Sequence, residues 1–136
     1  MKVGVVLVTH FRLGEQFLEA LRLIVPDAPV FRAVSITPEQ SVDEMRKAIA
    51  AALDAADCGD GVLVLTDMFG GTPSNISLSF LAERRVEVVT GLNLPMLIKL
   101  AESAQEKPLE ELAALIKSYG QRNISVAREI LPEARR

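Results

Sequence analysis

The sequence predicts one doubly wound α/β domain, a parallel sheet covered by helices on both faces, and three observations point to it. Short apolar runs alternate with longer amphipathic stretches, the order of strand and helix that a parallel sheet requires. Two of the runs, Val3–Val8 and Val62–Thr66, are apolar almost throughout, as strands must be when neither face meets water. The chain has 136 residues, 49% of them hydrophobic, which suits one real core better than two domains. Aromatics are only 4% and Trp is absent, so that core has to be aliphatic.

Each element follows from local pattern. Val3–Val8 is the first strand and ends on the polar Thr9-His10. Gly14–Val25 places Phe17, Leu18, Leu21, Ile24 and Val25 on one helical stripe, and Pro26 closes that helix. Val30–Ile36 alternates more, as a strand nearer the sheet edge does. Ser41 opens a second helix with Glu44 three residues on, a capping box, and Met45, Ile49 and Leu53 form its buried face. Gly59-Asp60-Gly61 turns the chain into Val62–Thr66. Thr72 is expected to cap the next helix, with Pro73 in its first position and Ile76, Leu78 and Leu81 within it. Val86–Thr90 is another strand, followed by a helix from Pro95 to Ala104. Pro108–Tyr119 is the last helix, and Gly120 is placed to end it. Ile124–Ala127 reads as one more short strand, and the polar tail from Pro132 is expected to be loose.

Composition narrows the partners. A net charge of −3 with scattered Lys and Arg argues against nucleic acid. Cys58 is the only cysteine, so neither an internal disulfide nor a zinc cluster can form, and a reducing compartment fits. No signal peptide is visible and no apolar stretch approaches about 18 residues. A cytoplasmic protein without membrane insertion is expected.

In an open α/β sheet, ligands sit beyond the carboxyl ends of the strands, where the strand order reverses. A flavodoxin-like order of 2-1-3-4 makes strands one and three neighbours there, so His10 and Asp67 are expected to emerge side by side. A histidine nucleophile must present one ring nitrogen with a free lone pair. A carboxylate accepting the proton of the other nitrogen holds that tautomer and stabilises the charge that develops on the ring. Gly70-Gly71 lets backbone N–H groups approach an anion closely, and the loop runs into a helix N-terminus that favours phosphate. Thr9, Thr72 and Ser74 are candidate hydroxyl donors. Phosphoryl transfer demands mainly positioning and charge stabilisation, which this set supplies without a metal or an organic cofactor. Phe11, Arg12, Phe69 and Asn93 stand at the periphery, Asn93 also as a helix cap and Phe69 with Met68 as an apolar lip for a partner.

Three stretches together, Thr9-His10, Asp67-Met68-Phe69-Gly70-Gly71-Thr72-Pro73 and Gly91-Leu92-Asn93-Leu94-Pro95-Met96-Leu97, resemble the mannose-type EIIA component of the bacterial phosphoenolpyruvate:sugar phosphotransferase system (PTS). The resemblance runs from Met1 to about Ala127. It implies a single such domain over residues 1–130 with a polar tail at 131–136. It also implies a four-stranded parallel sheet in a homodimer, and a C-terminal strand, Ile124–Ala127, pairing antiparallel with the partner's sheet. By the same resemblance, the phosphocarrier protein HPr phosphorylates His10 on Nε2, Asp67 orients the ring, and the phosphoryl group passes to an EIIB protein in carbohydrate uptake. Two positions depart from the family pattern: Phe11 stands where glycine is common, and Phe69 where some members carry Trp. The chain ends at Arg136 without an EIIB domain, so the acceptor is expected to be a separate chain.

Two rivals stay open at this level. The protein could be a regulatory phosphoprotein with no transport role, binding targets according to the phosphorylation state of His10; the subunit serving dihydroxyacetone kinase is a related variant. A flavin- or nucleotide-binding module would instead need a Ser/Thr/Gly-rich loop directly after the first strand. Thr9-His10-Phe11-Arg12-Leu13-Gly14 is a poor version of one.

Overall fold

Four parallel strands, β1 (Gly4–His10), β2 (Arg32–Ile36), β3 (Val62–Thr66) and β4 (Val86–Thr90), lie in the order β2-β1-β3-β4. They belong to a computed structural model that describes residues 2–104 and 106–131. The helices are α1 (Leu13–Ile24), α2 (Val42–Ala56), α3 (Thr72–Leu78), α4 (Leu94–Ser103), α5 (Leu109–Arg122) and the short α6 (Ala127–Ile130).

The side-chain alternation of a strand divides the core into two halves. Val5, Leu7, Leu63 and Leu65 face Leu18 and Leu21 of α1, Leu97 and Leu100 of α4, and Leu112 and Ile116 of α5. Val6, Val8, Val62 and Val64 face Met45, Ile49 and Leu53 of α2 and Ile76 of α3. β1 and β3 are therefore apolar on both faces, which is what their unbroken apolar runs required. Burying each of these aliphatic side chains is worth about 2 kcal/mol. Phe80, a fully buried aromatic, carries the Arg46 guanidinium 4.2 Å above its ring.

The doubly wound fold, the strand order, the bounds of β3 and β4, and the Ser41–Glu44 capping box match the sequence reading. Several boundaries do not. β1 continues through His10, because Thr9 and His10 still pair with Ser35 and Ile36 of β2. Thr72 is the first residue of α3 rather than its cap; Gly71 is the cap, with no side-chain bond, and Pro73 is second. Gly120 lies inside α5 instead of ending it. Its role is close packing: a Cβ there would come 2.7 Å from Met96 of α4. No strand forms at Ile124–Ala127; residues 124–126 are irregular and α6 follows, with Ile124, Val126, Ile130 and Leu131 exposed. A lone segment has no ladder to join unless a sheet edge is brought to it. Apart from Leu131, the tail at 131–136 lies outside the described residues, as does Met1.

Candidate active site

Strand register brings the central pair together. Val8 of β1 pairs with Thr66 of β3, and β1 runs two residues further, so Asp67 leaves β3 beside Thr9 and His10. One carboxylate oxygen, Asp67 Oδ2, accepts the His10 backbone N–H at 3.0 Å and lies 2.8 Å from Nδ1 of the His10 ring. The other, Oδ1, accepts the Met68 N–H at 3.1 Å. The carboxylate is thus clamped by two backbone donors before it touches the ring. An acceptor at Nδ1 places the ring proton there and leaves Nε2 with its lone pair. The His10 side chain is 39% exposed and Asp67 only 12%, so the ring reaches solvent while its anchor is mostly covered.

Gly71 lies against that free edge. A Cβ at this position would come 2.7 Å from Cε1 and 3.1 Å from Nε2 of His10, closer than real contacts allow. The preceding Gly70 has φ +88°, a left-handed conformation that glycine adopts without cost. The N–H groups of Gly70 and Gly71 form no hydrogen bond within the described residues. They lie beside exposed Thr72, where α3 begins.

Other expected site residues have different work. Thr9 is buried, and its hydroxyl accepts the Gly14 N–H at 2.8 Å. It thereby caps α1, whose N-cap residue Arg12 makes no side-chain cap, and its own O–H faces the Phe11 carbonyl at 3.5 Å. No standard capping spacing signals this bond, so sequence reasoning missed it. Arg12 Nε donates to Glu15 Oε2 at 2.8 Å, and Ser35 Oγ donates to Glu15 Oε1 at 3.2 Å. First the Arg12 hydrogen bond and then that of Ser35 hold the Glu15 carboxyl below its ordinary value. Asn93 caps α4: its Oδ1 accepts the Met96 N–H at 3.2 Å while its Nδ2 donates to the Gly120 carbonyl at 3.1 Å. Both ends of its amide thus hold α4 and α5 together. Ser74 is buried with an unpartnered hydroxyl among the described residues.

The rim around His10 is apolar. Phe11 is 58% and Phe69 70% exposed, and Met68 and Leu13 are exposed as well. Leu13 escaped the sequence reading because its place on α1 resembles an ordinary first turn. Phe11 has φ +48°, alone among the described non-glycine residues, which costs roughly 1–2 kcal/mol for a side chain of this kind. No three His, Cys, Asp or Glu side chains converge as a metal site among the described residues. Among the described residues no helix is long and apolar enough to cross a membrane.

Fold and site together define an α/β domain that presents one carboxylate-oriented imidazole at the switch in strand order. The chain belongs to the EIIA-man family, PTS system fructose IIA component, whose match spans residues 4–117. It is similar to the sorbose-specific EIIA component of Lacticaseibacillus casei, 29% identical over 81% of this chain and 80% of that one. It is 26% identical to the mannose-specific EIIAB component of Escherichia coli over 91% of this chain, which spans only 39% of that longer protein. The solved mannose/sorbose-specific IIA subunit from Enterococcus faecalis superposes with a TM-score of 0.84 at 34% identity, covering 93% of this chain and 95% of that one. Family membership makes this a phosphotransferase-system component of the mannose class and implies phosphoryl transfer in sugar uptake.

Proposed function

We propose that the protein is a phosphocarrier that accepts a phosphoryl group from phosphorylated HPr on Nε2 of His10 and passes it to an EIIB partner. The observation that carries this reading is the 2.8 Å contact between His10 Nδ1 and Asp67, which commits one ring nitrogen and leaves the other open. The Nε2 lone pair attacks phosphorus as the P–N bond to the donor's histidine breaks. A donor ring protonated on its second nitrogen departs as neutral imidazole. The positive charge therefore moves to the His10 ring, where the Asp67 carboxylate faces it, and no proton changes hands. The free N–H groups of Gly70 and Gly71 are suited to the phosphoryl oxygens, with the Thr72 hydroxyl beside them. Both ends of the relay are phosphoramidates, so transfer runs near balance, and catalysis is mostly alignment of two proteins.

The same reading takes residues 1–130 as one domain and the molecule as a homodimer in the cytoplasm. Its support is the open edge of β4, where a groove of about 700 Å³ lies between β4 and α5 and reaches Ile124. Exposed Ile124, Val126, Ile130 and Leu131 are the apolar residues a second copy would bury there.

Incubation with phosphoenolpyruvate, enzyme I and HPr tests the chemistry. Acid-labile phosphate is expected on the protein and none on His10→Ala; label persisting in that variant refutes the assignment.

A further inference from the structure

Phe11 carries an observation that the relay chemistry does not use. It stands next to the nucleophile with φ +48°, where glycine would sit without strain. Its N–H donates to the Ile36 carbonyl at 2.8 Å, so the end of β2 holds the backbone in this conformation. The ring gains little from packing, since 58% of the residue remains exposed. A bulky residue kept in a strained conformation, with its side chain left in water, points to a function outside the fold.

Resting on the phosphocarrier reading, we infer that Phe11 is a docking and specificity residue, held outward to meet an apolar face on phosphorylated HPr, the donor to His10. In-line transfer brings the partner's nucleophile to roughly 3 Å from phosphorus, so the partner's surface must rest on whatever flanks His10. What flanks it is Phe11 and Leu13 after β1 and Met68 and Phe69 after β3, all exposed. The charges of these two loops are already paired, Arg12 with Glu15 and Asp67 with His10. Arg12 spends only Nε on Glu15 and keeps 72% of its side chain exposed, which leaves its terminal nitrogens to a carboxylate at the partner's rim, while the four exposed apolar side chains call for an apolar centre. Aromatic anchors of this kind concentrate binding energy when a partner excludes water from them.

The test separates docking from chemistry. Phosphoramidate, a small donor whose P–N bond breaks to release ammonia, needs no docking surface. It is expected to label His10 in Phe11→Gly at the rate of the unaltered protein. With phosphorylated HPr as donor, Phe11→Gly is expected to raise KM about tenfold while kcat holds. Phe11→Tyr is expected to restore KM, and the loss is expected to persist at high salt because the contact is apolar. A KM unchanged in Phe11→Gly overturns the inference. Failure of both donors to label His10 in the unaltered protein would instead overturn the phosphocarrier reading beneath it.

Discussion

The loops after β3 and β4 are built alike, and only the first leaves N–H donors open beside His10. Both leave the same end of the sheet, both pass through a left-handed glycine, Gly70 with φ +88° and Gly91 with φ +85°, and both enter a helix with proline in its first turn. After β4 the N–H groups of residues 91–93 are all taken. The N–H groups of Gly91 and Leu92 both donate to the Thr66 carbonyl at 3.0 Å. The Asn93 amide is shared between Met96 and Gly120, and the Asn93 N–H even finds the Met96 sulfur at 3.4 Å. After β3, the glycine N–H groups are left over, the cap is a bare Gly71, and Asp67 turns across to a neighbouring strand. The difference teaches that a loop becomes chemical when the fold leaves its polar groups unspent.

Substitutions in the two loops sharpen that contrast. The largest effect belongs to Asp67→Asn, which keeps the shape and removes the charge facing the ring. Phosphorylation of His10 by phosphorylated HPr is expected to slow by about 10²–10⁴-fold, measured as an initial rate with excess donor. An unchanged rate would remove the carboxylate from the chemistry.

Gly71→Ala comes next. Gly71 has φ −84°, which alanine accepts, so the backbone need not change. The added methyl would instead meet the His10 ring 2.7 Å from Cε1, and the ring must give way. A displacement of this order is expected to cost about a hundredfold in rate, with the urea midpoint little altered. Similar losses of rate and of stability would mean that the glycine serves the fold and not the ring.

Asn93→Ala, in the silent loop, has the smallest effect and the opposite character. It removes the cap of α4 and the tie to α5, and about 1–2 kcal/mol of stability should be lost, read from urea unfolding. The rate of His10 labelling below the transition should stay as it was. A fall in that rate would place Asn93 in the site after all.

Much of the site was legible because its logic is local. His10 ends a strand apolar on both faces, Asp67 follows another, and a doubly wound order makes those strands neighbours. The Ser41–Glu44 cap could be read for the same reason, since both of its bonds close within four residues. Thr9 could not. Its hydroxyl reaches five residues along to Gly14, and a threonine beside a nucleophile looks from sequence like an anion donor. Gly120 misled in the same way: a glycine late in a helix resembles a terminator, and only the position of Met96 reveals it as a contact surface.

The sequence by itself determined the layering of strands and helices, the aliphatic core divided by strand alternation, and the juxtaposition of His10 and Asp67. Periodicity and capping are properties of neighbouring residues, and the register of parallel strands carries them across the sheet. The tertiary structure alone decided which donors remain free, why Gly71 must lack a side chain, and that Phe11 is held left-handed by the end of β2. Those outcomes depend on which groups the rest of the fold has already satisfied, a sum over contacts that no short stretch of sequence contains.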